Sequence, residues 1–473
     1  MSKITFMGAG STVFVKNIIG DSMLSPALSD AHVALYDIDA VRLKESAAML
    51  ATLNSNINKS RMKISEHLGT RNRREALRGA NYVVNAIQVG GYKPSTVIDF
   101  EIPKRYGLRQ TIADTLGIGG IFRGLRTIPV MMDFARDMED VCPNALFLNY
   151  SNPMAILSGA MQQGSAIKTV GLCHSVQACA AGLFWKLDAA DQLEKVKKFN
   201  WKIAGINHMA WLLEIKDGEK DLYPMLRKRS LDMTAQLRKA GTQNVIKAAK
   251  ALAKKKGGCW WDMPGLVRPA SDFVRLEIMR HFGYYVTESS EHNAEYTPYW
   301  IKAAKPSLIK EFNIPLDEYP RRCVNQIRDW KKQSKTLVNN RKLTHTRSHE
   351  YGSYIMEAAE TGVPFRIHGN VLNTGLITNL PAKATVEVPC MVDRNGINPC
   401  VVGDLPEQCA ALNRTNINVQ LLTIKAALTR TRDAIYHAAY LDPHTGAELT
   451  LDQIRALCDD LIAAHGRYLP KYK

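Results

Sequence analysis

The stretch KITFMGAGSTVFVKNIIG, Lys3–Gly20, sets the reading of the whole chain. A short apolar strand, Ile4–Met7, runs into a glycine turn at Gly8 and Gly10, and a helix opens at Ser11 or Thr12. HVALYDID then reads as a second strand ending at Asp37. In a dinucleotide fold the glycines let the backbone approach a pyrophosphate, the helix N-terminus supplies amide donors, and an acid after the second strand accepts from ribose hydroxyls. Gly8, Gly10, Ser11, Thr12 and Asp37 are therefore the candidate dinucleotide contacts. Val13 stands where the third glycine of the usual fingerprint would be, so close helix-to-strand packing is not expected there.

Working outward, NYVVNAIQVGG (81–91), ALFLNYSNP (145–153) and KTVGLCHS (168–175) read as further buried strands separated by helical lengths. That alternation is the pattern of a parallel sheet covered on both faces, an α/β Rossmann-type arrangement of the lactate/malate dehydrogenase kind. The pattern breaks near Trp201, which divides the chain into a dinucleotide-binding domain, 1–200, and a mixed α+β lobe, 201–473. In the second part, helical periodicity appears at 357–361, 418–429 and 451–465, and ATVEVPCMV (384–392) reads as a strand. Residues 225–265, rich in Lys and Ala and containing KKKGGCWWD, read as an insertion or a mobile excursion.

Composition narrows the classes. The chain has 473 residues, 46% of them hydrophobic and 23% charged, without a Pro- or Ser-rich tract, which is a globular composition and not a disordered one. No run is long and apolar enough for a membrane span and no signal-peptide pattern is present, so a cytoplasmic protein without a membrane partner is expected. Nine cysteines, odd in number and scattered without a CxxC, point to free thiols. The formal charge of +17 sits largely in runs such as Arg71–Arg74 and Lys254–Lys256. These lack aromatic interleaving or a nucleic-acid module, so they read as solvated faces and no nucleic-acid partner is expected.

GLCHSVQ (171–177) and GINHMAW (205–211) carry chemistry such a fold does not need for itself. Cys173 and His208 together form a thiolate–imidazole pair able to bind a first-row divalent ion with positions left open. The alternative is a buried thiol and a hydrogen-bonded core histidine. On a strand, adjacent side chains face opposite ways, so His174 takes a role apart from Cys173, such as proton donor across a ligand.

Taken together, GAGSTVF, QVGGY, DTLGIGGIFRGLRTIP, NYSNPM, GLCHS and GINHMAW resemble the NAD- and metal-dependent glycoside hydrolases of family 4, and within them the α-galactosidase branch, where the cysteine is followed by histidine. The likeness continues through TESSEHNAEYTPYW, LDEYPRRC, NLPAKATVEVPC, LNRTNINVQLLT and DPHT to the closing DDLIAAHG. The resemblance implies an exception to hydrolysis by two carboxylates. NAD⁺ oxidises the sugar at C3, a base removes the acidified C2 hydrogen, the metal stabilises the enediolate, the C1 substituent is eliminated, water adds, and the hydride returns.

By the same resemblance Cys173 and His208 are the ligands of Mn²⁺ or a similar divalent ion, His174 donates to the leaving group, and Asn152 binds the sugar with Asn149 as a second contact. Elsewhere in the family an aspartate often follows the metal cysteine; a histidine there donates a proton only if it is charged. The C2 base is sought in TESSEHNAEYTPYW, with Glu291, His292 and Tyr296 as candidates beside Glu288. The acids of that segment are alternatively helix caps at Ser289 or Ser290. The glycines of DTLGIGG allow a backbone turn near the nicotinamide.

The resemblance thus implies an α-galactosidase acting on a small-molecule glycoside such as melibiose, assembled as a homodimer or homotetramer. An α-galacturonidase is the alternative within the family; sugar phosphates go with the Cys-Asp version. A 2-hydroxy-acid dehydrogenase of the lactate/malate type and a non-catalytic nucleotide sensor are the alternatives outside it. NVQLLTIKAALT (418–429) reads as either core or subunit interface.

Overall fold

The computed structural model describes residues 1–256 and 259–473. The first six strands are β1 (Lys3–Met7), β2 (His32–Asp37), β3 (Lys63–Leu68), β4 (Tyr82–Asn85), β5 (Leu146–Asn149) and β6 (Thr169–Gly171). They pair in parallel in the order β3-β2-β1-β4-β5-β6. This is the doubly wound dinucleotide-binding order, whose ligand crevice lies beyond the carboxyl ends of β1 and β4, where the strand order reverses. The central strands β1, β4 and β5 are buried along nearly their whole length, as a sheet covered on both faces requires.

The glycine turn is fixed by contact as well as by conformation. Gly8 has φ +87°, and a Cβ there would stand 2.9 Å from the Ala86 carbonyl carbon after β4. Val13 is 42% exposed on the following helix, Thr12–Leu24, so the missing third glycine does not lie between helix and sheet.

The remaining strands are β7 (Phe199–Ile206), β8 (Met209–Asp217), β9 (Lys220–Asp221), β10 (Tyr285–Val286), β11 (Phe365–Leu372), β12 (Thr385–Asp393) and β13 (Gly396–Pro399). They continue the same sheet past β6 in the order β11-β12-β7-β8-β10, all antiparallel. Two narrow junctions join them: Asn370 of β11 lies opposite Gly171 of β6, and Glu387 of β12 lies opposite Gly205 of β7. One sheet therefore crosses the point at which the sequence pattern changes.

Residues 225–265 are mostly ordered helix, not an excursion: Tyr223–Ala240 is followed by Thr242–Lys256. Leu226, Ser230, Thr234 and Leu237 are buried at helical spacing, which pins the first of these helices. Gly257 and Gly258 of KKKGGCWWD lie outside the described residues. Helix Glu407–Thr429 buries Val419, Ile424 and Ala427 within the chain, so that face is core. The nine cysteines are free thiols. Among the described residues no helix is long and apolar enough to cross a membrane.

Candidate active site

His208 stands in the two-residue turn between β7 and β8 with φ +64°, a left-handed backbone that a non-glycine residue adopts only when its surroundings enforce it. Helix Glu407–Thr429 provides that enforcement. Asn413 donates from Nδ2 to the Met209 carbonyl at 2.8 Å and accepts from the Trp211 indole at 3.1 Å, while Asn416 donates to the Tyr296 carbonyl at 3.1 Å. The motif LNRTNINVQLLT thus clamps the hairpin and the segment that carries Tyr296.

Cys173 and His174 sit at a strand-to-helix junction, beyond the end of β6 and before helix Ser175–Lys186, not on the strand itself. Their side chains nevertheless go separate ways. Cys173 is buried, and its Sγ, a histidine ring nitrogen of His208 and a carboxylate oxygen of Glu288 lie within 4.8 Å of one another. Glu288 also has a left-handed backbone, φ +64°. Burial works against charge on the His208 ring, yet the charges of Cys173 and Glu288 outweigh it and hold its pKa up to about 10. Burial likewise opposes charge on Glu288, but the His292 and His208 rings hold its carboxyl down to about 2. Sulfur, imidazole and carboxylate converging with this much negative charge form a donor set that a divalent cation satisfies.

Tyr296 is fully buried, and its hydroxyl lies 3.0 Å from His208 Nδ1, with the two rings nearly parallel. Burial pushes that hydroxyl well above the usual tyrosine range. His208 Nε2 faces Glu288 at 3.6 Å, so Nδ1 is the nitrogen that Tyr296 fixes. Tyr296 is thereby placed as the partner of a ligand, an outer-shell arrangement that sets ring orientation and tautomer. His292 packs edge-on against His208, with ring centroids 5.0 Å apart, and its Nδ1 is 2.8 Å from Ser289 Oγ. Burial pushes the His292 pKa down. Glu291 points elsewhere, in an ion pair with Arg322 at 2.8 Å. Helix Ser290–Glu295 does begin after Ser289, but without a side-chain cap.

His174 contacts Glu350 through Nε2. Burial lowers the His174 pKa and pushes the Glu350 carboxyl up to about 7, so the ring alone is not favoured as the charged acid and the carboxyl beside it titrates close to neutrality. Tyr351 donates to the Cys173 carbonyl beside them.

The cleft between the glycine turn and Cys173 has a volume of ≈ 340 Å³. Asn152 lines it, donating to Asp114 at 3.2 Å while its buried Oδ1 has no partner. An orphaned acceptor facing a cleft is a position that a ligand hydroxyl satisfies. Asn149 does not reach the cleft: it is fully buried, accepting from Asn85 at 2.9 Å and from the Ser151 amide at 3.0 Å and donating to Ser158 at 3.1 Å. Asp114, on DTLGIGG, is held low against burial by Arg123. Gly117 of that motif makes a backbone turn with φ +75°, while Gly119 and Gly120 serve close packing; a Cβ on Gly120 would meet the Thr115 carbonyl carbon at 2.6 Å.

On the dinucleotide side, Ser11 lines the cleft and gives no side-chain cap to the helix, whose first turn holds no acid. Those amides suit an anion. Thr12 turns inward to Ser46 at 3.3 Å. Asp37 accepts the Gly10 amide at 2.6 Å and the Asp39 amide at 2.9 Å, ordering the turn that a dinucleotide would face.

Several groups escaped the sequence reading: Glu288 as a member of the donor cluster, Asp114, Arg123, Glu350, and Glu387, whose carboxyl burial pushes up to about 7 beneath His208. Glu288 and Asp114 fell inside quoted motifs, but only the fold shows that Glu288 joins the donor cluster and that Asp114 lines the cleft.

Comparison with known proteins adds two family models. Residues 3–189 match family 4 glycosyl hydrolase and 203–445 match the family 4 glycosyl hydrolase C-terminal domain. An α-galactosidase of Bacillus subtilis (strain 168) is 58% identical, with 100% of both chains covered. An α-galactosidase of Rhizobium meliloti (strain 1021) is 33% identical over 99% of this chain and 89% of the relative. A 6-phospho-α-glucosidase from gut microorganisms, solved with NAD and Mn²⁺, superposes with a TM-score of 0.74 at 20% identity, covering 100% of both chains.

Proposed function

Because the chain belongs to family 4 of the glycosyl hydrolases, we propose that it is an α-galactosidase that hydrolyses small α-galactosides such as melibiose with NAD⁺ and Mn²⁺ as cofactors. The observation that carries this is the convergence of Cys173, His208 and Glu288 within 4.8 Å beside a cleft that runs to an uncapped helix N-terminus. The dinucleotide, when bound, supplies reversible oxidation at the sugar's C3, and the divalent ion supplies charge compensation for the neighbouring oxygens.

We assign the first 200 residues to dinucleotide binding, through Gly8, Gly10, Ser11, Thr12 and Asp37, and residues 201–473 to a substrate, catalytic and oligomerisation lobe that completes the site with Asn152, Cys173 and His174 of the first part. Cys173 and His208 hold the ion. Asn152 offers its free Oδ1 to a sugar hydroxyl. Glu288 accepts the C2 proton: its side chain is 23% exposed, against 10% for Asp114, which is tied to Thr115 at 2.7 Å and to Asn152. His174, proton-coupled to Glu350, serves the leaving oxygen. Tyr296 and His292 act on the ligands and on Glu288, not on the sugar.

The galacturonide alternative needs a cation for a C6 carboxylate. The guanidinium lining the cleft, Arg123, is already committed to the Asn152 carbonyl at 3.0 Å and the Tyr319 hydroxyl at 3.2 Å. Assembly as a homodimer or homotetramer is part of the proposal; Val324 and Ile327, each about half exposed on helix Glu318–Leu337, offer apolar surface for it.

The test is hydrolysis of methyl α-galactoside and methyl α-galacturonide with and without NAD⁺ and Mn²⁺. Cleavage of the galactoside that needs both additions supports the assignment; preference for the galacturonide, or net accumulation of NADH, overturns it.

A further inference from the structure

The segment Arg341–Glu350 belongs by sequence to the second lobe, yet it holds no strand or helix of its own and is fastened to the dinucleotide half. Asn56, on helix Ala40–Asn58, donates to the Arg341 and Leu343 carbonyls at 3.0 Å each. Asp21, on helix Thr12–Leu24, accepts from His345 Nε2 at 2.6 Å, from the Ser348 amide at 2.7 Å and from Ser348 Oγ at 2.6 Å. Lys16 Nζ stands 3.2 Å from His345 Nδ1. An ammonium only donates, so Nδ1 accepts and the ring proton sits on Nε2, facing Asp21. The ring lies against Gly20, where a Cβ would stand 2.7 Å from its Cδ2. Asp21 is fully buried, and a buried carboxylate persists where such bonds surround it.

These bonds lead to Glu350. Ser348 Oγ, while donating to Asp21, accepts from the Glu350 amide at 3.1 Å. Among the described residues the Glu350 carboxyl has His174 as its hydrogen-bond partner, and its Oε2 is buried without one. The place of the carboxyl is therefore set through its backbone, in a segment that has no ladder and depends on side-chain bonds. Helix Tyr351–Thr361, which follows, is tied to the far end of the same dinucleotide helix, where Ser25 donates to Glu357 at 2.8 Å. A proton donor works within hydrogen-bond reach of its target, and a misplacement of about 1 Å costs up to about 10²-fold in rate.

We propose that Asp21 is a positioning residue for proton delivery: by holding His345 and Ser348 it sets the Glu350 carboxyl against His174, so that the pair serving the leaving oxygen is mounted on the helix whose first turn faces the dinucleotide. This rests on the α-galactosidase reading and on the role given there to His174. Oxidation at C3 and removal of the C2 proton precede the step at which the leaving oxygen takes its proton. Loss of Asp21 therefore slows that later step alone, and only for a leaving group that needs the proton.

The experiment compares kcat/KM on 4-nitrophenyl α-galactoside, whose phenolate departs unprotonated, with kcat/KM on methyl α-galactoside, whose alkoxide does not. It uses the full chain, Asp21→Asn and Ser348→Ala, each with NAD⁺ and Mn²⁺, and follows NAD⁺ binding by calorimetry. The expected result is that the nitrophenyl-to-methyl ratio rises by about 10–100-fold in Asp21→Asn and in the same direction in Ser348→Ala, with NAD⁺ affinity unmoved. Methyl α-galactoside recovered uncleaved from D₂O should also carry more deuterium at C2 with the variants than with the unaltered protein, because proton exchange outruns departure of the leaving group. An equal loss on both glycosides, or a loss that follows weakened NAD⁺ binding, overturns the positioning role and leaves the cluster as a fastening of the fold. If Asp21→Asn does not fold, Ser348→Ala decides, and an unmoved ratio there overturns the proposal. If the unaltered protein cleaves neither glycoside, the α-galactosidase reading falls and this inference falls with it, whereas cleavage of both with an unmoved ratio in the variants removes the role of Asp21 alone.

Discussion

Replacing Tyr296 with Phe separates a residue that orients the metal ligand from one that works on the sugar. The hydroxyl is 3.0 Å from His208 Nδ1, and the two rings lie at 17° with centroids 6.3 Å apart, so phenylalanine keeps the buried ring and removes one hydrogen bond. In the ligating tautomer the Nδ1 proton is the one the hydroxyl oxygen accepts. Loss of such an outer partner lowers metal affinity by about 10–100-fold, equivalent to about 1.4–2.7 kcal/mol. That range agrees with the roughly 1–3 kcal/mol for leaving a buried donor unpaired. Titrating Mn²⁺ into metal-free protein at saturating NAD⁺, by calorimetry and by activity, should show half-saturation raised by about 10–100-fold. At saturating Mn²⁺, kcat should recover most of its value. A loss of kcat with Mn²⁺ affinity unmoved would refute the reasoning and make Tyr296 the base in place of Glu288.

Glu288→Gln should weaken Mn²⁺ binding, since its carboxylate belongs to the donor cluster, and should also lower kcat by about 10²–10⁴-fold at saturating Mn²⁺; a kcat that recovers in full at saturating Mn²⁺ would make Glu288 a ligand and not the base. Burial places the Glu350 carboxyl at about 7, so raising the pH through that value strips the proton held by the Glu350–His174 pair and kcat should decline on the alkaline side. In Glu350→Gln that limb should vanish from the pH profile, and its persistence would count against the pair as proton source. Arg126 and Asp99 form a sealed ion pair at 2.6 Å, with His465 on the same carboxylate at 3.0 Å and Val89 of the cleft loop accepting from Arg126 at 3.1 Å. Arg126→Met leaves Asp99 short of its main partner, and chemical denaturation should register a loss of about 3–5 kcal/mol; a loss under 1 kcal/mol, roughly a surface-pair effect, would contradict it.

The parallel half of the sheet was readable because each strand there is a short apolar run followed by a glycine or polar turn and a helix, so local pattern and tertiary arrangement coincide. The second half was not, since it joins the first through single pairings, Asn370 with Gly171 and Glu387 with Gly205, that no local pattern announces. Residues 225–265 were misread because Lys and Arg between Leu226, Ser230, Thr234 and Leu237 mask a helical stripe. Cys173 and His208 were visible as residue types, and the fold brought them together. Glu288 was harder: its direction depends on a left-handed backbone at the residue itself. Asn149 and Asn152 look equivalent in NYSNP, yet one closes on the Asn85–Ser158 network and the other faces the cleft. Glu350 lies 176 residues from His174, a separation at which sequence alone holds no signal for a pair.

The central claim is that the glycosidic bond breaks by way of an oxidised sugar and a C2 proton transfer, and isotope exchange reads this directly. Methyl α-galactoside hydrolysed in D₂O with NAD⁺ and Mn²⁺ should yield galactose carrying deuterium at C2, with both cleavage and label lost when either the dinucleotide or the ion is removed. Galactose released at full rate with its original C2 hydrogen would contradict the account.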